Sequence, residues 1–264
     1  MFKTKHICFV VIYAIKIAYD GRRDFHGFAR QPNVETVEGK ILEILKDNDL
    51  IKDARSSKFR YASRTDKGVS ALGNVIAFNS LKKIELDNLK RLSVENIYFY
   101  GLKEVENNFY PRYAKMRWYR YYLKIDADMD MERFLKTASL FTGTHDFSNF
   151  ARIERNKNPV RKIENILISW IKRDIIAIDF YAQTFLWQQV RRMVIAMEKV
   201  AGGLIDKGTV KNALSNPRKK IDLGIAPAQQ LILKDVFYDF EFDIEREVHS
   251  RSKKIEKRMI SSLD

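Results

Sequence analysis

Two spacings of apolar residues alternate along the chain, and they divide it into strands and helices. "YAIKIAYDG" alternates apolar and polar positions up to an Asp-Gly turn, which predicts a strand over Tyr13–Tyr19. "TVEGKILEILK" places Val37, Ile41, Ile44 and Leu45 at helical spacing behind Thr36, which serves as the N-cap. Short strands are predicted over Phe59–Ala62 and Val75–Phe78, then a helix over Leu86–Leu92 and strands over Tyr98–Leu102 and Trp118–Ile125. A second series follows. It contains a helix over Met131–Phe141, two alternating strands with a turn near Arg173 and Asp174, and a helix from Thr184 closed by Gly202 and Gly203. A further helix over Thr209–Ser215 precedes a last strand in "LILKDVFYDFEF".

Adjacent predicted strands look like hairpins, so the expected class is α+β with antiparallel pairing rather than a doubly wound parallel sheet. The two series have a similar order of elements. They are read as two split β-α-β (ferredoxin-like) halves that share one mainly antiparallel sheet flanked by helices, with a cleft between them. The expected division is 1–125, 126–242 and a basic tail over 243–264. Ile244, Val248, Ile255 and Ile260 are read as a sparse apolar stripe in that tail, so weak packing is expected there.

Charge narrows the partner. A formal net charge of +14 over 264 residues favours a polyanion, of which nucleic acid is the commonest. A surface rich in both signs of charge is the blander explanation, but it accounts less well for a surplus of one sign. The one cysteine, Cys8, allows no disulfide within the chain and fits a reducing cytosol, so a cytoplasmic location is expected. The four histidines are scattered, and no metal-ligand spacing is present. The apolar run Ile7–Ile15 is too short to span a bilayer and no small-residue cleavage site follows, so it reads as a first strand behind a short leader.

The stretch "RYASRTDKGVSALG" carries the candidate chemistry. If Arg64 and Asp66 continue an extended strand, they point to the same side and can pair, which keeps the carboxylate ionised. Gly68 permits a turn that other residues resist. A carboxylate held this way suits a nucleophile or a base. An exposed ion pair in a solvated turn is the alternative. Phosphoryl transfer is disfavoured, because Asp66-Lys67-Gly68-Val69 lacks the following Thr or second Asp, and no phosphate-binding glycine loop occurs.

"SRTDKGVSALGNVIAF" resembles the signature of the TruA-type tRNA pseudouridine synthases, with Ser63 in place of the common Gly and Asn74 in place of the common Gln. "YDGRRDFHGFARQP", "FYPRYAKMRWYRYYL", "FTGTHDFSNF", "FLWQQVRRMV" and "APAQQLILKDV" resemble further segments of that family in the same order. Gln230 stands where the last of these has Gly. "FLWQQVRRM" is similar to the archaeal branch.

The resemblance implies an isomerase that converts uridine to pseudouridine in the anticodon stem-loop, at positions 38 to 40 in tRNA numbering. It implies no cofactor and no metal, with tRNA as substrate, a homodimer as the working form and no membrane association. Asp66 is implied as the nucleophile, Arg64 as the arginine beside it, and Tyr119 as the tyrosine that stacks on the target base. Alternation puts Arg117, Tyr119 and Tyr121 on one strand face, and the pattern alone does not choose between the two tyrosines. Arg191 is expected near the carboxylate or a phosphate, while Arg192 is read as solvated. Arg22, Arg23, Arg30 and Arg112 are candidates to follow the RNA backbone. The alternative function is a non-catalytic basic RNA-binding protein, against which Arg64, Asp66 and Tyr119 together argue, because phosphate tracking needs no buried carboxylate.

Overall fold

The computed structural model describes residues 11–23 and 25–264. The leader, Cys8 and the start of the Ile7–Ile15 run lie outside the described residues.

The chain begins with β1 (Val11–Tyr19), α1 (Val37–Asp47), β2 (Arg60–Tyr61), β3 (Ser70–Ser80), α2 (Asn88–Leu92) and β4 (Ile97–Val105). It continues with β5 (Met116–Lys124), α3 (Met131–Ala138), β6 (Gly143–Asp146), β7 (Val160–Ile163), β8 (Asn165–Lys172), β9 (Ile175–Ala182), α4 (Gln189–Ala201), α5 (Lys207–Ser215) and β10 (Leu231–Phe237). It ends with β11 (Asp243–Ile244), α6 (Arg246–Ser252) and α7 (Lys254–Ser261).

These elements form two compact units. The first holds the described residues up to Tyr113 together with Tyr238–Ile255, and the second holds Ala114–Phe237 with Glu256–Asp264. The division expected after residue 125 therefore falls inside the second unit. The reason lies in the pairing: β5 hydrogen-bonds with β9 and β10, so it opens the second unit as β1 opens the first. The residues read as a separate tail are shared between the two units.

In the first unit β1 lies between β3 and β4, with Ile15 opposite Ile76 on one side and Leu102 on the other. Strand β2 joins β3, and β11 joins β4, all antiparallel. The order β4-β1-β3-β2 is that of a split β-α-β unit. Helix α1 buries Val37, Ile41, Ile44 and Leu45, the positions its spacing selects. Thr36 caps it by accepting the Gly39 N–H at 3.2 Å.

The second unit repeats the topology with its own strands. β5 lies between β9 and β10, and β8 joins β9, again antiparallel throughout. Helix α3 packs on α4. Between α3 and β8 the chain inserts the small hairpin β6–β7, which periodicity did not reveal because its strands are only four residues each.

Three expectations change. Helix α4 begins at Gln189 rather than Thr184, because Gln188 is left-handed (φ 65°) and Trp187 is engaged in a bridge with Arg152. The last long strand stops at Phe237, and Tyr238, Phe240 and Phe242 instead form an aromatic series with Phe109. The C-terminal residues pack firmly. Val248, Ile255 and Met259 are fully buried, and Glu256 accepts hydrogen bonds from Lys234 and Tyr122, both at 2.5 Å.

Candidate active site

The Asp66 loop belongs to the first unit. Strand β2 ends at Tyr61, so Arg64 and Asp66 do not continue an extended strand as expected; they lie in the loop 62–69 that leads into β3. Ser63, Thr65 and Asn74 supply the reason. The Asn74 side chain, buried on β3, accepts the Ser63 N–H at 3.2 Å and donates to the Ser63 carbonyl at 2.9 Å. It thereby takes the place of a strand partner for that residue. The Asp66 carbonyl then accepts the Val69 N–H at 3.1 Å, closing a turn in which Gly68 has φ 87°. Arg64 is exposed and Asp66 half-buried.

A second segment holds this loop from outside. Thr65 shares a 2.9 Å hydrogen bond with the Tyr19 hydroxyl, which in turn accepts from Asn74 at 3.3 Å. The Phe28 N–H donates to the Thr65 carbonyl at 3.0 Å, and the Gly68 N–H to the Gly21 carbonyl at 3.1 Å. Phe28 is itself fixed by α1, whose Glu38 N–H donates to the Phe28 carbonyl at 2.9 Å. Asp66 is therefore flanked on both sides by residues whose backbone is tied to a helix start or a strand end. The segment is close-packed against the loop: a Cβ on Gly27 (φ 89°) would lie 3.1 Å from both the Thr65 carbonyl oxygen and the Lys67 nitrogen.

Tyr61 lies within the field of two of the expected arginines, which sequence reasoning missed. Burial and the Glu38 carboxylate raise its phenol pKa, while the charges of Arg64 and Arg112 oppose that rise. Glu38 also accepts the Arg30 N–H at 2.9 Å and pairs with its guanidinium at 3.4 Å. Arg64 and Arg112 thus act on Tyr61 through their charge, and Arg30 pairs with the Glu38 that acts on it in the opposite direction. Arg22 has a different place: its guanidinium makes a two-pronged contact with the buried Asp20 at 2.9 and 2.8 Å. Arg23 is exposed.

In the second unit, Tyr119 lies on β5 with Arg117 and Tyr121 on the same face, as alternation requires. The Tyr119 ring is 8 % exposed and meets Phe185 edge-on, with ring centroids 5.1 Å apart. Arg117 is buried and donates to the Gln183 carbonyl. Tyr121 is fully buried, and its hydroxyl donates to Gln230 Oε1 at 2.5 Å. Burial, with the nearby Glu198 carboxylate, pushes the Tyr121 phenol up, and the Arg191 charge opposes this. The difference between the two tyrosines is now physical: Tyr121 is committed to Gln230 in the interior, while Tyr119 keeps some exposure. Arg191, on the first turn of α4, donates through Nε to the Ala226 carbonyl at 2.7 Å, and Ala226 N–H returns a bond to the Arg191 carbonyl at 3.2 Å. Arg192 pairs with Asp222 at 3.0 Å.

Among the described residues, no three His, Cys, Asp or Glu side chains come together as metal ligands would. No helix among them is long and apolar enough to cross a membrane.

A sequence model of the family described as tRNA pseudouridine synthase matches residues 137–239. The chain is 42 % identical over 238 residues to tRNA pseudouridine synthase A of Thermococcus sibiricus, covering 87 % of each chain. It belongs to the tRNA pseudouridine synthase A family. The enzyme of that name from Methanothermobacter thermautotrophicus is 38 % identical over 251 residues, covering 95 % of this chain and 88 % of its own. That from Pyrococcus furiosus is 39 % identical over 240 residues, covering 88 % and 86 %. Family membership bears out the family resemblance read from the sequence, and the archaeal sources agree with the branch expected from "FLWQQVRRM". The family isomerises uridine to pseudouridine, so the chain is an isomerase that acts on tRNA.

Proposed function

We propose that the chain isomerises uridine in the anticodon stem-loop of tRNA, at positions 38 to 40, with Asp66 as nucleophile. The observation that carries this is the grip on the loop 62–69. A carboxylate held between residues tied to β3, α1 and the 19–28 segment is preorganised, and positioning of this kind contributes heavily to catalysis.

The reaction breaks the bond between uracil N1 and ribose C1′ and forms one between C5 and C1′. The hydrogen on C5 is lost and N1 gains one, so the product is an isomer and no cofactor is consumed. Asp66 adds either to C1′ or to the uracil ring, and both routes leave a carboxylate adduct that must be released. Arg64 holds Asp66 and the displaced nucleotide. Tyr119 stacks on the base, and Arg191, Arg112 and Arg30 meet phosphates. The base must leave its stack first, at a cost of a few kcal/mol that these contacts offset. The protein works as a cytoplasmic homodimer in this reading.

Unmodified tRNA transcripts carrying tritium at uridine C5 test the proposal. Release of tritium, with pseudouridine mapped to positions 38 to 40, is the expected result. Asp66→Asn should abolish release and retain tRNA binding and the wild-type melting temperature. Substantial release by Asp66→Asn would remove Asp66 from the nucleophile's role. Tight binding with no pseudouridine at any position in the wild type would instead favour a non-catalytic RNA binder.

A further inference from the structure

Trp187 has no part in the chemistry above, yet it is held in an unusual way. It lies between the end of the β9 segment and α4, and its side chain is 40 % exposed. The Arg152 guanidinium covers one face of the indole, with its central carbon 4.2 Å from the ring centroid. The backbones are bridged as well: the Arg152 N–H donates to the Trp187 carbonyl at 2.8 Å. On the other side, Gln188 is left-handed at φ 65°, a conformation that residues with a Cβ seldom adopt. Leu186 N–H donates to Gln189 Oε1 at 2.8 Å, and Gln189 is buried. The indole is thus fixed at both flanks and backed by a cation.

A solitary exposed tryptophan needs no explanation in general. This one differs in being rigidly presented, and in its surroundings. The chain that bridges to it, 152–162, carries Arg152, Arg155, Lys157, Arg161 and Lys162 against Glu154 alone. Arg155 and Lys157 are exposed. Lys162 pairs with Glu164 at 2.7 Å, which leaves Arg152 on the indole and the exposed Arg155 and Lys157 in the segment bridged to it. An aromatic surface joined to exposed cations suits an unpaired nucleotide: the base stacks on the ring and the phosphate meets the cations. Stacking needs no particular base, because every base offers a π-face.

We propose that the exposed part of Trp187, backed by Arg152, is a stacking site for an unpaired base of the RNA substrate, distinct from the base that is isomerised. The site rests on the tRNA-modifying reading, since it uses the same RNA. It adds affinity and holds the strand; it takes no part in bond making.

The chain has three tryptophans, Trp118, Trp170 and Trp187, so intrinsic fluorescence reports on the site once Trp187→Phe is subtracted. A short single-stranded oligouridylate and an unmodified tRNA transcript should both quench the Trp187 signal, and a blunt RNA duplex should not. Trp187→Leu should weaken tRNA binding about tenfold, within the range seen for loss of one stacked base. Trp187→Phe, which keeps an aromatic surface, should stay within about threefold of wild type on the same reasoning. Single-turnover conversion at saturating enzyme should be unchanged in both. Wild-type affinity in Trp187→Leu, equal quenching by duplex and single strand, or quenching that persists in Trp187→Phe would overturn the proposal. If the wild type binds and is quenched but makes no pseudouridine, the isomerase reading fails and the stacking site stands. A wild type that binds no RNA overturns both.

Discussion

Gly27→Ala tests whether the 19–28 segment positions the Asp66 loop. Two costs follow from the structure. Gly27 has φ 89°, which an L side chain adopts at a cost of about 1–2 kcal/mol. The new methyl would also sit 3.1 Å from the Thr65 carbonyl oxygen and the Lys67 nitrogen and 3.3 Å from the Asp66 carbonyl carbon, so the backbone around Asp66 must give by a few tenths of an ångström. A misplacement of about 1 Å can cost about a hundredfold in rate, so a shift of this size should cost about three- to tenfold. Gly203→Ala is the matched control: φ is 72°, and a Cβ there meets nothing within 4 Å. Both variants should melt about 2–8 °C below wild type from the backbone cost. Only Gly27→Ala should be slow in single-turnover tritium release at saturating enzyme. A Gly27→Ala protein that melts low yet reacts at the wild-type rate would show that this contact does not position Asp66.

Three further outcomes are expected. Gln230→Gly leaves the buried Tyr121 hydroxyl without its acceptor and should cost about 1–3 kcal/mol in denaturant titration, a loss that Tyr121→Phe in the same chain should partly recover. Burial, together with Asp126, holds the Glu198 pKa above its usual value; its stabilising share is complete below about pH 4.5 and is lost as pH rises through the raised pKa. Glu198→Gln should therefore flatten the stability profile across that window and be the more stable protein at pH 7, as urea midpoints at several pH values would show. Deleting the residues after Phe242 removes the fully buried Val248, Ile255 and Met259, about 5–9 kcal/mol at about 1.5–3 kcal/mol each, and strips Lys234 of its carboxylate partner. That approaches the whole stability of an ordinary domain, so circular dichroism should find the truncated chain unfolded.

The elements with strong period were legible in advance. The capping threonine and the spacing of Val37, Ile41 and Ile44 locate α1 within a residue, and the turn at Arg173–Asp174 separates β8 from β9 as expected. Asp66 was legible as a presented carboxylate, but not the means of presentation. No local pattern announces that Asn74 will replace a strand partner for Ser63, or that Tyr19 and Thr65 will share a hydrogen bond across 46 residues. The tail was misread for a similar reason. A stripe of four apolar residues gives no account of Glu256, whose hydrogen bonds to Lys234 and Tyr122 help fix the helix that Ile255 and Met259 bury. Trp187 passed as part of a helix because the left-handed Gln188 is invisible to periodicity.

The path of the chain through its two units has a consequence for how the enzyme is made. The first unit is interrupted at Tyr113 and resumes only at Tyr238, and the second is finished by Glu256–Asp264. Domains fold as they emerge during synthesis, N-terminal first, when their residues are contiguous. Here neither unit is one contiguous stretch: the first needs Tyr238–Ile255 and the second needs Glu256–Asp264. β4 waits for β11, and Asp20, at the root of the segment that grips the Asp66 loop, binds an Arg22 whose guanidinium also donates to the carbonyl of Ile255. A nascent chain therefore carries Asp66 long before it holds it in place. A ribosome that stalls before Tyr238 therefore releases a chain that carries the Arg64-Thr65-Asp66 stretch without the segment that closes the first unit.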